Sequence, residues 1–214
     1  MDTPEERADA ILAELHANAR PRLIVISGPS GVGKDTIIDR MRELRPEIHF
    51  AVTATTRPRR PNEIDGIHYY FYSAEEFAEK RAADEFLETA VVYGNEYGVP
   101  RTPIRNALAR GQDVIVKVDT QGAGTIRRLV PAGIFIFIAP PTIDQLAQQL
   151  WGRKTDDPDT LLRRFRTAQE ELGAIDLFDY VVFNEFGQPE SAVDRILGIL
   201  QAEQQRLRQP DVHV

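Results

Sequence analysis

The chain contains no cysteine, and only two methionines and one tryptophan in 214 residues. Without thiols there is no disulfide frame and no thiolate metal site, which suits a reducing compartment. The four histidines, His16, His49, His68 and His213, are scattered, and no pair has metal-ligand spacing. No serine–histidine–acid arrangement stands out either. Long apolar runs are missing: nothing approaches the roughly 18 residues of a membrane span. The opening MDTPEERADA is acidic and lacks the apolar centre of a secretion signal. Positive charge is in deficit, with 26 Lys and Arg against 33 Asp and Glu and a net charge of −7. That balance argues against a non-specific nucleic-acid binder or a membrane-surface protein, while permitting a local basic pocket. Internal repeats and low-complexity segments are absent too. The expectation is a cytoplasmic protein with no nucleic-acid or membrane partner; nothing in the sequence sets its oligomeric state.

What is present is an ordinary globular composition, 42% hydrophobic and 28% charged. The length favours one domain with insertions. Residues 3–19 have helical periodicity: Thr3 and Glu6 form a capping box, Pro4 suits the first turn, and Ile11, Leu12, Leu15 and Ala19 make one apolar stripe for docking. From Arg22 onward, strands and helices alternate. LIVIS (23–27) reads as a buried strand, and 36–44 as a helix stopped by Pro46. HFAVTAT and HYYFYS read as strands on either side of the turn-rich RPRRPNEIDG. Ser73 and Glu76 box the start of a helix running to about Ala83, and FLETAVVY follows as a strand. GNEYG reads as a turn, and Thr102 as the cap of a helix with Pro103 in its first turn and Gly111 at its end. VIVKVD and IFIFIA have the apolar, β-branched character of buried parallel strands. Thr142 and Gln145 begin another helix, a long helix starts near Thr160, YVVFN is the last strand, and 190–208 the last helix. This alternation predicts an α/β fold, a parallel sheet flanked by helices. Two stretches break the rhythm: a strand-rich one at about 53–101 and a polar, charged one at about 150–165.

The stretch GPSGVGKDT (28–36) sits between the first strand and its helix. Glycines 28, 31 and 33 allow a tight turn that aims backbone N–H groups at one anion, and the helix adds its positive end. Lys34 supplies a point charge to terminal phosphates. Gly-x-x-x-x-Gly-Lys between strand and helix is a strong signal for nucleotide phosphate, stronger than a structural turn with an incidental lysine. The next position is Asp35, where a hydroxyl is expected.

Four other groups carry possible chemistry. Arg57, Arg59 and Arg60 crowd one segment beside Tyr69 and Tyr70, suited to clamping a second phosphate; a solvated basic loop is the plain alternative. Glu88 is a carboxylate in an apolar strand, able to accept from the N1–H and 2-amino group of guanine, or else an exposed strand residue. Asp119, at the end of VIVKVD, either orients a magnesium shell or caps the next helix. Arg153, Lys154, Arg163, Arg164 and Arg166 flank TDDPD and suit a flap closing over a phosphoryl group. For Arg163 and Arg166 a solvated helix face fits better. Trp151 reads as packing.

Six motifs in order, GPSGVGK, TTRPRRPNEIDGIHYYF, FLETAVVYGNEYG, VDTQG, IAPP followed by GRKT, and VVFN, make residues 21–203 resemble the guanylate kinase family, P-loop nucleoside monophosphate kinases. The resemblance implies transfer of the ATP γ-phosphate to GMP and also to dGMP, with Mg²⁺ as cofactor. It implies an N-terminal helix (1–20), a core (21–52, 102–147 and 166–203), a GMP-binding lobe (about 53–101), a lid (about 148–165) and a tail (204–214). It places ATP on Gly28, Pro29, Ser30, Gly31, Val32, Gly33, Lys34, Asp35 and Thr36, with Asn184 near adenine. Arg57, Arg60 and Tyr69 would hold the GMP phosphate with Glu63 supporting the arginines, and Thr53, Glu88 and Asp119, with Tyr97 beside them, would read guanine. For Asp119 it thus favours base contact over the magnesium shell. The catalytic set would be Lys34, Arg57, Arg153 and Arg164, and the metal would sit on Asp35 or Thr36.

Departures from the family pattern are Thr53 for serine, Val99 where some relatives have a hydroxyl, Lys117 for an acid and Gln149 for a lid arginine. The Gln149 departure removes one positive charge and bears on speed, by about 10²-fold on the scale of a single electrostatic donor. Two rival readings follow from the same features. One is a kinase of a phosphorylated ribose, which has no use for a guanine-reading set. The other is a non-catalytic binding module, which has no use for the glycines and Lys34.

Overall fold

The computed structural model describes residues 3–17, 20–92, 94–151 and 166–214. Nine strands form two sheets among these residues. The larger sheet is wholly parallel, in the order β2 (His49–Phe50), β7 (Val114–Lys117), β1 (Leu23–Ser27), β8 (Ile134–Ala139), β9 (Tyr180–Phe183). In β1 both faces are covered, so Leu23 to Ile26 are all apolar rather than alternating, and only the final Ser27 is polar. Leu23 and Val25 enter one core with Val116, Ala123, Ile126 and Phe135. Ile24 and Ile26 enter the other with Ile37, Met41, Ile138 and Ile196. The first core is covered by α4 (Arg101–Ala109) and α5 (Thr120–Leu129), the second by α2 (Lys34–Leu44) and α8 (Pro189–Gln204). Burial at about 25 cal/mol per Å² makes such an all-apolar central strand the anchor of the domain.

The smaller sheet has the order β4 (Tyr70–Phe71), β3 (Ala54–Thr55), β6 (Asn95–Pro100), β5 (Phe86–Val92). Its own core is Ala54, Phe77 and Phe86, with the two phenyl rings stacked at 4.6 Å. Phe77 comes from α3 (Ala74–Ala82), whose capping box Ser73–Glu76 forms as the sequence predicts. The remaining helices are α1 (Pro4–Ala17), α6 (Ile143–Trp151) and α7 (166–172).

Several local expectations change. HFAVTAT is not one strand: residues 49–50 pair with β7 in the large sheet, while 54–55 pair with β6 and β4 in the small one. The chain changes sheets between them. HYYFYS shrinks to the pair Tyr70–Phe71. GNEYG is not simply a turn. Only Gly94, at φ +79°, belongs to the bend, and Asn95 onward is strand, paired with β5 from Val92↔Asn95 inward. Thr102 does not cap α4, which starts one residue earlier after extended Pro100. The Arg101 N–H donates to the Glu85 carbonyl at 2.9 Å, and no side chain caps the helix. The Thr3–Glu6 box forms, but Ile11 and Leu12 of the apolar stripe are 58% and 53% exposed rather than docked.

Candidate active site

The carboxyl ends of the parallel strands converge on the turn after β1. In open α/β sheets this is the end at which ligands bind. A second cavity, of about 290 Å³, opens among Arg22, Ile134 and Tyr180 at the amino ends of β1, β8 and β9, away from the glycine loop.

The loop has the backbone its glycines permit. Gly28, Gly31 and Gly33 take φ values of 143°, 90° and 90°. At Gly28 a Cβ would stand 2.1 Å from the Ile138 carbonyl oxygen, so β8 presses directly on the loop. Lys34 opens α2 and turns its ammonium back to donate to the carbonyls of Gly28 and Pro29, the latter at 2.9 Å. Burial pulls its pKa below the ordinary lysine value, against the opposing charges of Glu171 and Asp35. The Ser30 N–H donates to Glu171 Oε2 at 3.0 Å, which puts a carboxylate on a loop amide. Burial pushes the Glu171 carboxyl up from its ordinary range, opposed by Lys34 and by that amide. Glu171, on α7, is a site residue that the sequence reading missed; an acid in a charged helix has no local signal.

Asn184 directly follows β9 and is buried. Its Nδ2 donates to the Val32 carbonyl at 2.7 Å, bracing the loop, while its Oδ1 has no hydrogen-bond partner among the described residues. Asp35 is 74% exposed and ion-paired to Lys117 at the end of β7. Thr36 is exposed in the same first turn of α2.

In the arginine segment the Arg57 side chain is held in place, while Arg59 and Arg60 are exposed. Arg57 Nη2 donates to Glu63 Oε1 at 2.7 Å with both side chains 14% exposed, and the Arg60 N–H donates to Glu63 Oε2 at 2.8 Å. Partial burial works against it, yet Arg57 and the Arg60 amide hold the Glu63 carboxyl below its ordinary range. The Arg57 guanidinium lies 5.5 Å from the Tyr69 ring, and that ring meets Tyr97 edge-on at 6.2 Å. A cavity of about 230 Å³ brings together Asp35, Thr53, Arg60, Glu63, Tyr69 and Lys117.

Glu88 is 5% exposed, not an exposed strand residue, and its Oε2 has no hydrogen-bond partner among the described residues. Burial, with the Asp119 charge nearby, pushes its carboxyl up to about 8. Asp119 caps α5 by accepting from the Gly122 N–H at 2.7 Å. Gly122 also packs on Glu88, where a Cβ would stand 2.9 Å from Oε2. Glu88 and Asp119 do not line the cavity that holds Thr53. Arg153, Lys154, Arg163 and Arg164 lie outside the described residues.

The arrangement is a phosphate loop with one lysine, faced by an arginine-rich cluster on a separate small sheet. Apart from both lies a buried acid, Glu88, packed against Gly122 of α5. The guanylate kinase family model matches residues 20–203. The guanylate kinase of Carboxydothermus hydrogenoformans is 45% identical over 181 residues, covering 85% of this chain and 88% of that one. That of Gloeobacter violaceus is 47% identical over 177 residues, covering 82% and 86%. The crystal structure of guanylate kinase from Anaplasma phagocytophilum superposes with a TM-score of 0.75 at 31% identity, covering 89% of this chain and 90% of that one.

Proposed function

The chain belongs to the guanylate kinase family, and on that premise we propose that it transfers the γ-phosphate of ATP to GMP, giving ADP and GDP. The observation that supports this reading best is the pairing of two candidate anion sites: the Lys34 loop, and the Arg57–Glu63–Arg60 cluster, whose Arg60 and Glu63 share one cavity with Asp35, the residue next to Lys34. We assign residues 53–101 to the acceptor lobe and about 148–165 to the lid, with dGMP as a second acceptor and the cytoplasm as the place of action.

The roles follow from chemistry. The loop amides and Lys34 hold the donor phosphates, Arg57 and Arg60 hold the acceptor phosphate, and Tyr69 closes against it. Glu63 holds the Arg57 guanidinium and the Arg60 backbone. Glu88 has a buried oxygen in want of a donor, and guanine supplies two adjacent N–H groups there; Thr53, Tyr97 and Asp119 complete the base site. Arg153 and Arg164 are assigned to the lid. The acceptor oxygen is already ionised, so no general base is required, and catalysis is in-line positioning with charge stabilisation. The described residues include no cluster of three His, Asp or Glu able to hold a metal alone. An ion held mainly by phosphate oxygens and water needs none, and Asp35 and Thr36 offer exposed hard oxygen donors at the loop. When bound, Mg²⁺ would neutralise charge on the donor phosphates.

A coupled assay of ADP release with GMP, dGMP, AMP, UMP and ribose phosphates tests the assignment. GMP-dependent release is expected. Release driven only by a ribose phosphate, or none with any acceptor, would overturn it.

A further inference from the structure

Lys117 stands at the junction of the two anion sites. It ends β7 with its side chain 27% exposed, and its ammonium pairs with Asp35, the residue next to Lys34. The same ammonium lies 5.6 Å from the centre of the Tyr69 ring, while Arg57 lies 5.5 Å from that ring. One aromatic ring of the acceptor cluster therefore carries two cations, one reaching from the acceptor lobe and one from the core sheet.

Stability alone gives no reason for this placement. The Asp35 side chain is 74% exposed, and an ion pair so exposed adds little to folding. Lys117 also lies close enough to Lys34 for the two positive charges to oppose each other. Lys34, Lys117 and Arg57 each face a carboxylate, Glu171, Asp35 and Glu63, and a phosphoryl group entering the region among them would bring further negative charge to the same cations. A phosphoryl group passing from the loop to the acceptor cluster must cross that region.

We propose that Lys117 is a catalytic residue of this chain, its ammonium contacting the phosphoryl group in transit, and that Asp35 is the positioning residue that holds it there. The inference rests on the assignment of the two sites to ATP and GMP. In the step itself, an oxygen of the acceptor phosphate bonds to the terminal phosphorus of ATP as the bond to the bridging oxygen breaks. ADP leaves with that electron pair. Lys117 transfers no proton; it stabilises charge on the equatorial oxygens, as donors placed at developing charge do.

The test uses the full chain and its Lys117→Met, Lys117→Arg and Asp35→Asn variants. Steady-state kinetics with ATP and GMP are measured beside calorimetric binding of GMP alone and thermal unfolding. Lys117→Met should lower kcat about 10²-fold while changing the KM for ATP less than threefold and leaving the melting temperature in place. Lys117→Arg should recover at least tenfold of that loss, because it restores the charge. Asp35→Asn should lower kcat more in the wild-type background than in Lys117→Met, since the part of its role that positions the lysine is lost only where the lysine is present. A Lys117→Met enzyme within threefold of wild-type kcat would overturn the proposal. So would an Asp35→Asn loss of equal size in both backgrounds. If Lys117→Met fails to fold, the Arg variant decides: near-wild-type kcat supports the charge role, and a loss above 10²-fold in a folded protein opposes it. A wild-type chain that releases no ADP with GMP would remove the parent assignment and this inference together, a result distinct from an active wild type with an unaffected variant.

Discussion

Glu171 accepts a hydrogen bond from the backbone N–H of Ser30 at 3.0 Å, so an acidic side chain from α7 rests on the loop built to receive phosphate. At the same time the Lys34 ammonium is turned onto the Gly28 and Pro29 carbonyls of its own loop. Both contacts satisfy groups that a nucleotide phosphate would engage, and an anion entering the loop must compete with the Glu171 carboxylate.

Glu171→Gln keeps the shape and a weaker acceptor but removes the charge. Two unit charges about 4 Å apart in water interact by about 1 kcal/mol, or about fivefold in binding. The variant is expected to bind ATP about fivefold more tightly by calorimetry. Weaker binding would show that the carboxylate organises the loop rather than competing for it.

Lys34→Ala should reduce phosphoryl transfer by at least 10²-fold with little change in unfolding temperature. Among the described residues its hydrogen bonds go to its own loop, so the fold loses little. Near-normal turnover would remove the loop from the mechanism.

Gly28→Ala should destabilise the protein by about 3 kcal/mol or more. At φ 143° an alanine is strained, and its Cβ would stand 2.1 Å from the Ile138 carbonyl oxygen, a backbone atom that cannot rotate away. Denaturant unfolding measures the loss, and a change below about 1 kcal/mol would contradict the tight contact between β8 and the loop.

Glu88 links base recognition to pH. Its carboxyl is raised from an ordinary 4.5 to about 8, so the free protein holds this proton at neutral pH. Accepting from two guanine N–H groups favours the ionised form, so GMP binding should release a proton. Affinity should rise as pH increases toward about 8 and level off above it. The sign for folding is opposite: a raised carboxyl makes the free protein lose stability as pH rises from about 4.5 through 8. Calorimetry in buffers of different ionisation enthalpy counts the proton. Glu88→Gln should abolish that Glu88-dependent release and reduce the preference for GMP over AMP. An unchanged proton count in the variant would assign the proton elsewhere, for instance to the GMP phosphate.

The glycine loop, the parallel sheet and the family resemblance were legible because each rests on neighbours in sequence. LIVIS must be buried on both faces, and Gly-x-x-x-x-Gly-Lys needs only a strand before it and a helix after it. The arginine segment was legible as charge, and Glu63 as the arginines' support from the family pattern, whereas the Arg57–Glu63 contact itself needed the chain to bend between residues 57 and 63. The change of sheet between Phe50 and Ala54 was not legible, since both pieces are equally strand-like and only their partners differ. Lys117 and Asp35 are 82 residues apart and looked like two separate departures; β7 lying beside β1 makes them one ion pair. Glu171 reaches Ser30 across 141 residues, and Glu88 acquires its raised carboxyl from the packing of α5 on β5. Local backbone chemistry is written in adjacent residues. Contacts between charges distant along the chain depend on which strands the sheet sets side by side, and that is decided only when the two cores pack.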